Sequence, residues 1–156
     1  MSKYYENEKG QLFVDPILAN HDGLTEITQE QFNQIIGERS KPTTNQLLRQ
    51  LTQARKEQER QGVTLNGIRY AGDPGNRQAL QEAIAFMDDA GLTEFESWKD
   101  SDNVFHANHP LADVRDAYRA IGIHRVALIE AEGQYAAQIT SGTLTDLSDL
   151  VWPAVK

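Results

Sequence analysis

Apolar residues recur at helical spacing in four stretches of the chain, and short apolar runs bounded by turn residues lie between them. Leu47, Leu48, Leu51 and Ala54 form one stripe, with the three- and four-residue intervals of a helix face. The stripe stops at Ala54, while the helix is expected to continue to Gln61. Arg55 with Glu59, and Glu57 with Arg60, are spaced to pair along a solvated surface, and Gly62 is placed as the C-terminal cap. Ala79, Leu80, Ala83, Ile84 and Met87 make a second inward face within 76–90, ended by Gly91. Leu111, Val114, Tyr118, Ile121, Leu128, Tyr135 and Ile139 mark a third helix, of about 30 residues, started by Asn108 and Pro110. Gly122 and Gly133 each weaken it by roughly 1 kcal/mol relative to alanine and are candidate break points. A fourth, short helix places Phe32, Ile35 and Ile36 inward and stops at Gly37; Thr28 and Gln31 form a capping box before it, with Ile27 stapled to Phe32.

The strand signals come in pairs. Tyr4-Tyr5 and Leu12-Phe13-Val14 flank the polar, glycine-ended connection Asn7-Glu8-Lys9-Gly10, a small hairpin whose second strand Asp15-Pro16 would end. Val63-Thr64-Leu65 and Ile68-Arg69-Tyr70 are separated by Asn66-Gly67, the strongest short hairpin signal. Phe95, Trp98, Val104 and Phe105 surround the turn Asp100-Ser101-Asp102-Asn103. The expected fold class is therefore α+β. Residues 1–40 form a hairpin-helix docking unit, 41–61 a connector helix, 62–142 a domain of two hairpins packed on two helices, the last one long, and 143–156 a tail without a clear element.

Composition changes this picture mainly by exclusion. With 15 basic and 23 acidic residues the net charge is -8, a field that repels nucleic acid unless basic residues are segregated on one face. In 55–60 the basic residues alternate with Glu57 and Glu59, so no nucleic-acid partner is expected. Cysteine is absent, which removes disulfides, thiol catalysis and cysteine-ligated zinc. No window approaches the ~18 apolar residues of a membrane span, and the polar start lacks a signal-peptide core. A soluble protein of the cytoplasm is expected.

Candidate chemistry is sparse. His106 and His109 lack the further ligands of a zinc site and read as a surface and a helix-start histidine; His124 reads as surface or partner-facing. Asp100-Ser101-Asp102-Asn103 lacks the glycine and distant glutamate of a calcium loop and reads as a turn with side chains bonded to local backbone. Asp88-Asp89, and Asp113 with Asp116, read as solvated faces rather than an acid–base pair. Gly72-Asp73-Pro74-Gly75-Asn76 lacks the Lys-Ser/Thr of a phosphate loop. No catalytic residue, cofactor or metal is assigned. Trp98 reads as core, whereas Trp152 is equally suited to anchor the tail on its own domain or on another chain. Tyr4, Tyr5, Phe13, Leu47, Leu51 and Trp152 are the candidate partner contacts. The Leu47–Ala54 stripe fits burial within the chain and homo-oligomerisation equally.

Residues 63–142 resemble a domain of unknown function that recurs at the C-terminus of phage and prophage tail proteins. The resemblance rests on Ile68-Arg69-Tyr70, on Asp73-Pro74-Gly75-Asn76-Arg77, on Trp98-Lys99-Asp100 through Asn103-Val104-Phe105, and on a long helix bearing His124. The first 40 residues, with Tyr4-Tyr5, the Gly10 turn and Gly23 to Thr28, resemble the opening of short proteins encoded beside phage tail fibres. The resemblance implies a non-enzymatic structural or adaptor protein of a phage tail, in the fibre or baseplate region, with other tail or fibre proteins as partners. It implies the host cytoplasm during assembly and then the virion tail. A tail-fibre assembly chaperone absent from the mature particle is the alternative.

Overall fold

A computed structural model describes residues 2–15 and 22–155. The chain divides into two compact units, Met1–Pro42 and Thr43–Lys156. The expected end of the first hairpin at Pro16 lies outside the described residues.

The first unit is a three-stranded antiparallel sheet with one helix. Strands β1 (Tyr4–Asn7), β2 (Leu12–Val14) and β3 (Leu24–Ile27) lie in the order β2-β1-β3, so the expected hairpin gains a third strand on its other edge. The β1–β2 turn is held by the Asn7 side-chain carbonyl, which accepts from the amides of Lys9 at 3.0 Å and Gln11 at 2.8 Å. Helix α1 (Gln29–Ser40) opens with the predicted capping box. Thr28 Oγ1 accepts the Gln31 amide at 3.1 Å, and the Gln31 side chain accepts the Thr28 amide at 2.8 Å. Gly37 does not end the helix; it continues to Ser40 and leaves Ile36 exposed.

The second unit runs α2 (Thr44–Gln61), β4 (Val63–Leu65), β5 (Ile68–Tyr70), α3 (Pro74–Asp89), β6 (Glu94–Lys99), β7 (Phe105–Pro110) and α4 (Leu111–Thr140). Asn66 and Gly67 take φ of 52° and 78°, the left-handed pair that a two-residue hairpin turn matched to strand twist requires. Asp73 caps α3 by accepting the Asn76 amide, with Pro74 in the first turn. One core is built from Val63, Tyr70, Leu80, Val114, Ala117 and Ile121, with Phe95 and Trp98 packed on it. Both hairpins and α3 thus close on the N-terminal half of α4.

A second core corrects one expectation and extends another. Leu47, Leu51 and Ile139 are buried together, with Tyr135, Leu144, Leu147, Leu150 and Trp152 around them. Helix α2 therefore packs on α4 as part of the C-terminal unit and is not a solvated connector. The tail, although free of helix and strand, covers the same cluster. The Tyr135 hydroxyl donates to the Val151 carbonyl at 2.8 Å and accepts the Val151 amide at 3.2 Å. Helix α4 runs unbroken past Gly122 and Gly133, because burial of one continuous face outweighs about 1 kcal/mol of glycine propensity at each.

Candidate functional site

Two polar clusters in the C-terminal unit hold its withdrawn charges. The first centres on Glu59, whose side chain is 7% exposed. Four-residue steps along α2 carry one face from Leu47 and Leu51 to Arg55 and Glu59, so the apolar stripe passes into charge without leaving the interior. Arg55 pairs with Glu59 along the helix. Arg77 of α3 reaches the same carboxylate at 3.5 Å and Arg125 of α4 at 3.3 Å. Arg55 also meets Glu132 of α4 at 2.5 Å, and Glu132 accepts from the Thr52 hydroxyl at 2.6 Å. Three helices are thereby tied by one buried carboxylate and its neighbour. The expected surface pair Arg55–Glu59 is in fact interior; its companion Glu57–Arg60 is exposed. His124 is buried beside this cluster with Nδ1 unpartnered, which corrects its reading as a surface or partner-facing residue. Burial holds its pKa below the ordinary histidine value, opposed by the Glu59 charge.

Backbone closeness permits this arrangement. Gly62 sits at φ 72° and ψ -144°, a conformation essentially reserved for glycine. A Cβ there would collide with the Tyr70 carbonyl, and one at Gly72 with the Glu59 carbonyl. Arg77 donates to the Gly72 carbonyl at 2.6 Å, which fastens the β5–α3 loop to the cluster.

The second cluster is aromatic. Tyr70 Oη lies 2.7 Å from His109 Nε2, both buried, and the Trp98 ring stacks on His109 with centroids 5.5 Å apart. His106 Nε2 donates to Asp100 at 2.8 Å. His106 and His109, three residues apart in β7, have their ring centroids 6.1 Å from each other. Strict alternation would set them on opposite faces, but Asn108 takes φ 52° within β7, and pairing keeps one register on both sides of it. Asn108 therefore lies inside the strand rather than at the start of the helix, whereas Pro110, the last strand residue, is the N-cap of α4 as expected, and His109 is interior. Burial holds the His109 pKa down and pushes the Tyr70 phenol up to about 12. The hydrogen bond from His106, helped by the Val104 amide, holds the Asp100 carboxyl below its usual value. Asp100 Oδ1 accepts the Asp102 amide at 2.9 Å and the Val104 amide at 2.8 Å, the expected local turn. Arg69 ties the two hairpins, with Nε 2.8 Å from Asp102 and Nη2 3.0 Å from the Ser101 carbonyl.

The remaining carboxylate pairs are divided among local partners. Asp88 pairs with Arg115, Asp116 with Arg119 at 3.2 Å, and Asp113 accepts from Asn66 at 3.3 Å. Among the described residues no group of three or more His, Cys, Asp or Glu could hold a metal ion, and no helix is long and apolar enough to cross a membrane. An open hollow of about 620 Å³ lies along α3, lined by Arg77, Gln78, Gln81, Glu82 and Tyr118. Neither cluster's core side chain, Glu59 or His109, lines it.

The candidate partner contacts prove to be largely internal. Leu47 and Leu51 are buried, and Trp152 packs edge-on against Tyr135 at 5.9 Å, so the tail anchors on its own unit. Tyr5 is buried in the first unit opposite Phe13, and the half-buried Tyr4 packs on Phe32 at 4.7 Å. Sequence reasoning missed the Glu59 cluster; the readable signal was the four-residue progression from Leu47 to Glu59.

No curated protein and no solved structure matches the chain. One family model does, over residues 42–151, a span that begins just before α2 and takes in all four strands of the C-terminal unit. With well over half of its length matched, the chain belongs to the family defined by a domain of unknown function, DUF4376.

Proposed function

We propose that this protein is a non-enzymatic structural or adaptor component of a phage tail, in the fibre or baseplate region, acting through protein–protein contacts. The observation that carries the non-enzymatic reading is that the polar clusters are closed on themselves. Glu59 faces three arginines, His109 faces Tyr70 and Trp98, and Asp100 faces His106. General acid–base or nucleophilic catalysis needs a group within reach of a substrate atom; these groups spend their reach on one another and stiffen the junctions between elements. The tail context is supported by the order of short motifs from Ile68 to His124. Mass spectrometry of purified virions of a phage encoding this chain tests it, with the protein expected in complete particles. Its absence there, together with increased fibre solubility on co-expression, would replace the adaptor with an assembly chaperone.

A further inference from the structure

Helix α4 is apolar on both sides. Ile121, His124 and Leu128 point into the unit, as a one-sided helix requires. On the opposite side Ile123, Val126 and Ile129 are 56%, 55% and 40% exposed. Their three-residue spacing sets them along a single outward strip, and Gly122, Gly133 and Ala137, also exposed, extend it. A water-facing helix surface is ordinarily polar, and a helix that is apolar all round is ordinarily buried. Single exposed hydrophobics are unremarkable, but three contiguous β-branched side chains on one strip leave a surface that another body would cover.

We propose that the outward face of α4 is where two copies of this chain associate, with their α4 helices antiparallel about a two-fold axis at Val126. The order of residues along the strip carries the choice of occupant and direction. Reading outward from Val126, Ile123 on one side answers Ile129 on the other, Gly122 answers Glu130, and Arg119 answers Gly133. In an antiparallel pair Val126 meets its own copy, and Ile123 meets Ile129 of the second copy, twice by symmetry. Glu130 of one copy sits opposite Gly122 of the other, where the missing side chain leaves room. It lies three residues, ~4.5 Å along the axis, from Arg119 of the second copy. Among the described residues Glu130 has no ion pair, and Arg119 has only the exposed Asp116. A parallel pair would instead set Glu130 against Glu130 and Arg119 against Arg119. Charge thus selects the antiparallel arrangement, and the short strip makes the association dependent on concentration. This inference does not depend on the tail assignment.

Sedimentation equilibrium on the purified full chain, from low micromolar to about millimolar, provides the first test. The mass should rise from monomer to dimer, and Val126→Arg should weaken the association at least tenfold while leaving the far-UV spectrum and melting temperature unchanged. Direction is read separately, on a background without native cysteine. An equimolar mixture of the I123C and I129C variants, oxidised mildly, should cross-link mainly as the mixed pair. A monomer at every concentration, or a dimer unaffected by Val126→Arg, would overturn the site. Cross-linking of each variant chiefly to itself would overturn the antiparallel geometry.

Discussion

Replacing Glu59 by Gln is expected to destabilise the C-terminal unit by about 3 kcal/mol. Removing one partner from a buried ion pair costs roughly 3–5 kcal/mol, because the remaining charge keeps its desolvation penalty. The surroundings select the low end. Arg125 is 42% exposed and can rehydrate, and Arg55 keeps Glu132, so Arg77, 22% exposed, carries most of the loss. The same helix provides the control. Glu57 meets Arg60 at 3.6 Å with both side chains exposed, and Glu57→Gln should cost no more than about 0.5 kcal/mol. Urea unfolding followed by tryptophan fluorescence reads this unit alone, because Trp98 and Trp152 are the chain's two tryptophans. At about 4 °C per kcal/mol, the melting temperature should fall by about 12 °C for Glu59→Gln and by about 2 °C or less for Glu57→Gln. Added salt should erase the second difference and spare most of the first. If the two variants lie within about 0.5 kcal/mol of each other, the Glu59 cluster is not the tie between α2, α3 and α4 described above.

Two glycines should respond with opposite signs. Gly62→Ala forces a Cβ onto the Tyr70 carbonyl at φ 72° and should cost more than ~3 kcal/mol. Gly37→Ala, helical with nothing within 4 Å of the added carbon, should stabilise the first unit by about 0.5–1 kcal/mol; thermal melts of each variant decide both. Stability should also decline in mild acid. Burial holds the pKa values of His109 and His124 below the unfolded value of 6.5, so the unfolded chain binds more protons beneath that pH. The contribution is complete above about pH 6.5 and is lost as pH falls, and urea midpoints at pH 7.5 and 5.5 should differ less in a His124→Gln variant.

Local chemistry was the legible part of the fold. The Asn66-Gly67 turn, the Thr28–Gln31 box and the Asp100 turn each depend on side chains and backbone only a few residues apart, so their spacing states their structure. Pairings supplied from a distance were not legible in the same way. Strand β3 alternates weakly over four residues and becomes a strand because β1 offers it an edge. The Arg55–Glu59 pair looked like surface chemistry because helical spacing shows that two residues can meet. It does not show that Arg77 and Arg125 will cover them. His109 reads as a helix-start residue because it directly precedes Pro110, the N-cap of α4; that spacing does not show that it also ends a strand and packs against Tyr70 and Trp98. The candidate contacts Leu47, Leu51 and Trp152 were recognised as sticky side chains, but the tail that unites them carries no periodicity to announce its course.

Both ends of the C-terminal unit are closed by residues belonging to it. Thr43 and Gln46 exchange hydrogen bonds at the start of α2, and the Tyr135 hydroxyl brackets Val151 at the finish. Each end of the unit is thus fastened by hydrogen bonds between its own residues, and exchanging the segment ahead of Thr43 would leave both fastenings intact.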